Sequence, residues 1–81
     1  MVEVVYTEDF KRSIQKLDNS IRGKVIKQIT KIIEDPETGK PMRFDKKGTR
    51  ELYVSPFRLS YSYDKNLNLI QFLGFYHKDE Q

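Results

Sequence analysis

The spacing of hydrophobic residues changes along the chain and divides it into a strand, a helical region and a second group of strands. Residues 2–6 are mostly apolar and β-branched, which is typical of a short strand. Phe10, Ile14 and Leu17 then recur as on one face of a helix, and Thr7 can cap the start of that helix. The pattern therefore predicts a strand followed directly by a first helix.

A second helix is predicted to begin after Asp18 or Asn19, either of which can cap it. It should end near Glu34, because Pro36 disfavours helical geometry in the residue before it. Only two or three residues separate the two helices, so we predict an antiparallel hairpin. The apolar stripe of the second helix consists of Ile21, Val25, Ile26, Ile29, Ile32 and Ile33.

Three strands are predicted after residues 36–48, a polar segment that we expect to be a long loop. The strands cover residues 50–55, 57–63 and 68–76, and tight turns between them favour antiparallel pairing. The chain is thus expected to be a single α+β domain over residues 1–81. Both helices should pack on one face of a small, mostly antiparallel sheet.

The turns also predict which side chains share a face of the sheet. A two-residue turn at 55–56 places Tyr53 opposite Arg58, and a two-residue turn at 65–66 places Arg58 opposite Leu73. The face toward the helices would then carry Leu52, Val54, Phe57, Leu59, Tyr61, Tyr63, Ile70 and Phe72. The open face would carry Glu51, Tyr53, Arg58, Ser60, Gln71 and Leu73, and we expect Tyr53 and Phe75 to be available there for base stacking.

Composition excludes several classes of protein and of site. The chain has no cysteine, which argues against a small secreted domain and predicts a cytoplasmic protein. No apolar run approaches the length of roughly 18 residues that a membrane span needs. A lone histidine without cysteine cannot form a zinc site, and no glycine-rich phosphate loop is present, so we expect no metal or other cofactor.

The net charge of +3 is concentrated in one segment. Residues 40–50 carry a net charge of +4, since they contain five cations and a single carboxylate, Asp45. Such a patch is typical of a protein that binds nucleic acid or an acidic partner, although a solvated loop has the same composition. The five cations are Lys40, Arg43, Lys46, Lys47 and Arg50.

Arg58 is the main candidate for chemistry because it lies on the predicted open face of a middle strand. A guanidinium there can bind a phosphate with two parallel hydrogen bonds. The alternative is a structural ion pair with Glu51 on the neighbouring strand. His77 follows the last strand within predicted reach of the same face, and an imidazole can act as acid or base near neutral pH.

Residues 50–61 (RELYVSPFRLSY) resemble the diagnostic hairpin of the RelE/ParE toxin superfamily. The ending GFYHKDEQ at 74–81 resembles the close of that family's last strand, and residues 43–47 resemble its basic approach loop. The order of elements agrees over the whole chain, and the resemblance is nearest to the RelE branch. It implies a toxin that cuts messenger RNA in the ribosomal A site and forms a heteromeric complex with a RelB-like antitoxin.

The resemblance also implies roles for individual residues. Arg58 matches the arginine at the scissile phosphate, and Lys78 stands where many relatives have an arginine that steadies the transition state. His77 would then be the general acid, and Glu51 or Tyr76 the base, for attack of the 2′-hydroxyl on the phosphate without a metal. Phosphate neutralisation and RNA or ribosome binding would fall to Lys40, Arg43, Lys46, Lys47, Arg50 and Tyr53.

Two departures from the family pattern keep other functions open. The chain stops at Gln81, before the terminal tyrosine of many relatives, and Glu51 and Tyr53 replace a pair of lysines. A ParE-like inhibitor of DNA gyrase would share the fold without RNA chemistry. A degenerate relative would only bind its antitoxin.

Overall fold

The computed structural model describes residues 2–43, 48–77 and 79. It confirms the predicted order of a strand, two helices and further strands. The elements are β1 (Glu3–Tyr6), α1 (Glu8–Gln15), α2 (Asn19–Glu34), β2 (Lys40–Pro41), β3 (Thr49–Val54), β4 (Phe57–Asp64) and β5 (Leu69–His77). No helix among the described residues is long and apolar enough to cross a bilayer.

Both helices begin where the sequence predicts, because side-chain oxygens satisfy their first free amides. The hydroxyl of Thr7 accepts a hydrogen bond from Phe10 N–H, and the carboxylate of Asp18 accepts one from Ile21 N–H. Thr7 also ties the helical region to the sheet, since its hydroxyl lies 3.0 Å from the carbonyl oxygen of Phe72. The capping residues therefore determine both where the helices start and how β1 leads into them.

The sheet has five strands in the order β1-β5-β4-β3-β2. β1 runs parallel to β5, and the other pairs are antiparallel. β2 was not predicted, because its two residues lie in the segment interpreted as loop and have no strand-like pattern of their own. Pairing of Lys40 with Glu51 and of Pro41 with Arg50 makes this short stretch an edge strand.

The register of β3 and β4 confirms the prediction, with Tyr53 opposite Arg58. The predicted register of β4 and β5 is wrong, since Arg58 lies opposite Tyr76 rather than Leu73. The turn is longer than predicted: Asp64 pairs with Leu69, the Asp64 carboxylate accepts the amides of residues 66 and 67, and residue 68 has a positive φ of 52°. A side chain that satisfies the turn amides favours this wider loop over a two-residue turn.

A β-bulge then changes the register once more along β5. Tyr61 pairs with Phe72 and Ser60 with Gly74, so Leu73 has no partner of its own. The extra residue brings Phe75 to the same face as Phe72, where it is 6% exposed and stacks on Phe57. The prediction that Phe75 is free to stack bases is therefore wrong, and the same bulge moves Tyr76 to the opposite, open face.

The hydrophobic core lies between the helices and one face of the sheet, as the alternation of residues predicts. Burial of these apolar side chains is the main favourable term for the fold. Neither helix of the described residues covers the open face. The core residues are Phe10, Val25, Ile29, Ile32, Val54, Leu59, Tyr61, Ile70, Phe72 and Phe75.

Candidate functional site

Four side chains from three adjacent strands meet on the open face of the sheet. Arg58 lies at the centre on β4, with Tyr53 opposite it on β3 and Tyr76 opposite it on β5. Glu51 lies two residues before Tyr53 and points to the same face. The middle position of β4 thus brings together residues that are far apart in the sequence.

Glu51 carries the most unusual group in this cluster, a carboxylate whose side chain is only 6% exposed. One of its oxygens lies 3.4 Å from Nη1 of Arg58, and the other accepts a hydrogen bond from the hydroxyl of Tyr76. A buried charge needs such partners, because transfer from water without them is strongly unfavourable. The structural alternative for Arg58, an ion pair with Glu51, is therefore present in the fold.

Among the described residues, that ion pair engages only one nitrogen of the Arg58 guanidinium. Its side chain is 39% exposed, and it makes a single, long contact with the carboxylate. Its Nε is buried and has no hydrogen-bond acceptor within the described part of the chain. A guanidinium with free donors next to solvent can still donate hydrogen bonds to two oxygens of an anion.

Arg58 is one of the residues that line a pocket of about 580 Å³. Lys40, which pairs with Glu51 across β2 and β3, contributes to its wall, as does Arg43 just after β2. Tyr53 is 55% exposed at the rim. The pocket therefore combines three cations, a buried carboxylate and an exposed aromatic ring; its lining residues are Lys40, Pro41, Met42, Arg43, Glu51, Leu52, Tyr53 and Arg58.

Arg50 does not belong to this site, contrary to the prediction, because it alternates with Glu51 along β3 and faces the other way. Its Nη1 donates to the carbonyl oxygens of Glu37, at 3.1 Å, and Gly39, at 2.8 Å. Its Nη2 lies 3.6 Å from the Glu37 carboxylate. Arg50 therefore holds the segment that leads into β2 instead of facing a ligand.

Tyr61 holds the same segment from inside the core, a role that the sequence analysis missed. Its hydroxyl accepts a hydrogen bond from Gly39 N–H at 2.9 Å and donates one to the carbonyl oxygen of Pro36 at 2.8 Å. Burial raises the pKa of the Tyr61 phenol above its usual value. Because Lys40 follows Gly39 directly, these contacts determine where Lys40 lies above the pocket.

His77 is not brought together with Arg58, so its predicted position on the open face is wrong. It lies opposite Phe57 on the face toward the helices, and its ring meets the Phe57 ring edge-on at 5.6 Å. Its Nδ1 accepts a hydrogen bond from Asp79 N–H at 3.2 Å. The register shift that moves Tyr76 to the open face places its neighbour His77 on the other one.

Apart from Arg50 and His77, the predicted site residues divide into those at the pocket and those outside the described residues. Lys40, Arg43, Tyr53, Glu51 and Arg58 line the pocket, and Tyr76 adjoins it through Glu51. Lys46, Lys47 and Lys78 lie outside the described residues. Within residues 2–43, 48–77 and 79, no group of three or more histidine, cysteine, aspartate or glutamate side chains is arranged to hold a metal ion.

Comparison with solved structures identifies the fold. The chain is similar to the RelBE2 toxin–antitoxin complex of Mycobacterium tuberculosis, with a TM-score of 0.84, 25% identity, and 95% of this chain and 98% of that chain covered. It is also similar to the isolated RelE toxin of Escherichia coli (TM-score 0.80, 15% identity, 100% and 88% covered). The archaeal RelE–RelB complex of Pyrococcus horikoshii gives a TM-score of 0.77 at 11% identity, with 99% and 98% covered.

Sequence comparison identifies the family. No curated protein sequence matches the chain significantly. The family model for the ParE toxin of the type II toxin–antitoxin system parDE matches residues 4–81. This match and the RelE-like fold confirm the superfamily that the sequence resembles. The chain therefore belongs to the ParE toxin family of type II toxin–antitoxin systems.

Proposed function

We propose that this toxin is a metal-independent endoribonuclease that binds messenger RNA in the ribosomal A site and cleaves it there. The observation that carries the proposal is the Arg58 guanidinium, which lines a cationic pocket, is 39% exposed and makes one long contact, with Glu51, among the described residues. Arg58, with Lys40 and Arg43 beside it, can neutralise a phosphodiester and the charge that develops on it in the transition state. Tyr53 at the rim can stack on a neighbouring base.

The proton transfers of the proposed reaction have one candidate base on this face. Attack by the 2′-hydroxyl forms the bond to phosphorus, and its proton passes to the Glu51 carboxylate, either directly or through the Tyr76 hydroxyl, which gives its own proton to Glu51. The bond from phosphorus to the 5′-oxygen breaks and that oxygen takes a proton from solvent water, leaving a 2′,3′-cyclic phosphate and a 5′-hydroxyl. Lys78 remains the predicted cation at the leaving oxygen, whereas His77 lies opposite Phe57 on the other face of the sheet.

Purified toxin on programmed ribosomes tests this proposal, with primer extension to locate breaks in the message. We expect cleavage within the A-site codon and a cyclic phosphate on the upstream fragment. Free messenger RNA should be cut far more slowly, because the ribosome supplies the orientation that a shallow pocket cannot. An intact message on toxin-bound ribosomes would contradict the nuclease proposal.

A ParE-like inhibitor of DNA gyrase is the second candidate, and the family match over residues 4–81 favours it. This function requires binding to gyrase but no phosphate chemistry. A supercoiling assay with purified gyrase distinguishes the two candidates. Inhibition of supercoiling together with an intact message would establish the second function, while inactivity in both assays would indicate a toxin relative that only binds its antitoxin.

We also propose a RelB-like antitoxin as the partner of this chain, because two of the similar structures are toxin–antitoxin complexes. An apolar groove between α1 and α2 offers a docking surface for it. Ile26 is 56% exposed in this groove, and Val5 on the adjacent edge strand is 42% exposed. A helix-rich segment can bury these side chains, while its acidic residues cover the cationic pocket.

Co-expression with the neighbouring gene tests the partner. We expect one equivalent of its product to abolish activity, and Ile26→Asp to weaken the complex at least tenfold, about 1.4 kcal/mol. Lys27→Asp is a control on the same helix. Equal effects of the two substitutions would contradict the assignment of the groove.

A further inference from the structure

The pocket proposed for RNA phosphate already holds an anion of its own, the carboxylate of Glu51. It is a buried charged group within the described part of the chain, and its two oxygens contact Arg58 and Tyr76. Lys40 and Arg43 line the same pocket but make no ion pair with it among the described residues. Any phosphate that reaches Arg58 therefore arrives beside a negative charge that is shielded from water.

The geometry of the ion pair allows Arg58 to change partner. The contact of 3.4 Å between Nη1 and the carboxylate is longer than the roughly 2.8 Å of a strong charge-assisted hydrogen bond. The Nε donor has no acceptor among the described residues, so the carboxylate does not occupy the fork of the guanidinium. The second oxygen of Glu51 is held by Tyr76 and keeps a hydrogen bond when the first one is released.

We infer that Glu51 is the resting counterion of Arg58 and that an incoming phosphodiester must displace it. The displaced carboxylate is repelled by the phosphate and stays bonded to Tyr76, so binding at Arg58 carries a fixed electrostatic penalty. A phosphate on RNA that makes no other contacts has nothing to offset that penalty. A phosphate that other contacts already hold in place overcomes it, and Glu51 thereby makes the site selective for positioned RNA. This inference rests on the proposed binding of RNA phosphate in this pocket.

A matched pair of substitutions tests the inference. Glu51→Gln and Glu37→Gln each remove one negative charge next to an arginine, but Glu37 pairs with Arg50 away from the pocket. The probe is a 2′-O-methyl RNA trinucleotide, which cannot be cleaved, measured by calorimetry at a fixed salt concentration. We expect Glu51→Gln to bind it about tenfold more tightly, or about 1.4 kcal/mol. Glu37→Gln should change the affinity about twofold at most, as for an exposed charge.

The same measurement on an Arg58→Met background shows whether the gain acts through Arg58. There, Glu51→Gln should give no more than the Glu37→Gln control, because the released donors are missing. Equal gains for the two glutamates, or a tenfold gain that persists without Arg58, would overturn the inference.

Wild-type protein supplies an independent measurement if Glu51→Gln does not fold. In a carbon-13 and nitrogen-15 NMR titration with the trinucleotide, the resonances of Glu51 Cδ and Arg58 Nε should move together while Glu37 Cδ stays. Saturation that leaves Glu51 Cδ unmoved would overturn the inference.

The trinucleotide binding test and the ribosome cleavage test can fail independently of each other. A trinucleotide that binds Glu51→Gln more tightly, combined with uncut messages on ribosomes, would contradict the nuclease proposal and keep Glu51 as the counterion. Ribosome-dependent cleavage combined with equal trinucleotide affinities of Glu51→Gln and Glu37→Gln would support the nuclease proposal and contradict the role of Glu51 as counterion.

Discussion

Arg50 and Arg58 lie on adjacent strands, and each pairs with a glutamate, but they belong to opposite faces of the sheet. Arg50 is 23% exposed and makes three contacts, two of them with backbone carbonyl oxygens. Arg58 is 39% exposed and makes one contact, with its Nε left buried and unbonded among the described residues. Arg50 holds a loop through two backbone carbonyl oxygens and the Glu37 carboxylate, whereas the single contact of Arg58 leaves room for a ligand.

The two glutamates differ in the same way. Glu37 is more than half exposed, so water screens its charge and the pair with Arg50 adds little by itself. Glu51 is almost completely buried, so water screens its charge less, and the charge acts more strongly on Arg58 and on anything that Arg58 binds. The comparison shows that burial and unpartnered donors distinguish the two ion pairs, and a sequence displays neither property.

The largest expected effect separates the two arginines by activity. Arg58→Lys keeps a cation beside Glu51 but loses the guanidinium fork, so ribosome-dependent cleavage should fall about 100-fold, or about 2.7 kcal/mol. Arg50→Lys is the matched control and should cleave at the wild-type rate. Similar losses for both variants, measured by single-turnover cleavage, would remove the distinction between the two faces.

Lysine is a better substitution here than alanine. If Arg58 only faced solvent, Arg58→Ala would leave folding unchanged. Arg58 also compensates the buried charge of Glu51, however. Alanine would leave that carboxylate uncompensated and destabilise the domain. A loss of activity in the alanine variant would therefore mix catalysis with folding.

The second effect concerns the loop that Arg50 and Tyr61 hold. A Cβ atom on Gly39 would lie 2.6 Å from the Tyr61 hydroxyl and 2.8 Å from its ring, so Gly39→Ala should destabilise folding by about 2 kcal/mol. Gly23→Ala is the control, since that Cβ meets nothing within 4 Å and alanine favours the helix by about 1 kcal/mol. Urea denaturation measures both changes, which should have opposite signs.

The third effect removes the contacts of Arg50 itself. Arg50→Met should lower the free energy of unfolding by about 1.5 kcal/mol, because the carbonyl oxygen of buried Gly39 loses its charged donor. Affinity for an RNA trinucleotide should stay within about twofold, as for a distant surface charge. A strong loss of RNA affinity without a loss of stability would return Arg50 to the binding site.

The smallest effect is a dependence on pH. Tyr61→Phe should lower the free energy of unfolding at neutral pH by about 1 kcal/mol, since two hydrogen bonds to the loop disappear. Because burial raises the pKa of Tyr61 in the folded protein, its contribution is complete below the unfolded pKa of about 10 and declines as the pH rises above it.

The gap between wild type and Tyr61→Phe should therefore narrow above that pH. Chemical denaturation at a series of alkaline pH values measures it. A gap that widens with pH would mean that the phenolate is the form favoured by folding, contrary to the burial of this side chain.

Much of the fold and the position of Arg58 on the open face could be predicted, because the sequence signals for them are local. The cap residues Thr7 and Asp18 precede helices at the expected positions, and the turn at 55–56 places Arg58 opposite Tyr53. The site around Arg58 was predicted less well. Tyr76 is a possible base only through the family resemblance, and the predicted register places Leu73 rather than Tyr76 opposite Arg58.

Local sequence signals are enough to predict the features that act over one turn or one hairpin: the helix starts, the amphipathic stripes, the alternation of β3 and β4, and the orientation of Arg58. Each depends on hydrogen bonds or side-chain periodicity within about ten residues. The pairing of β5, the edge strand β2 and the burial of Glu51 depend instead on contacts between distant parts of the chain. One extra residue at the bulge reverses every later side chain of β5, so Phe75 enters the core, Tyr76 reaches Glu51 and His77 turns away, and no local pattern shows where that residue is inserted.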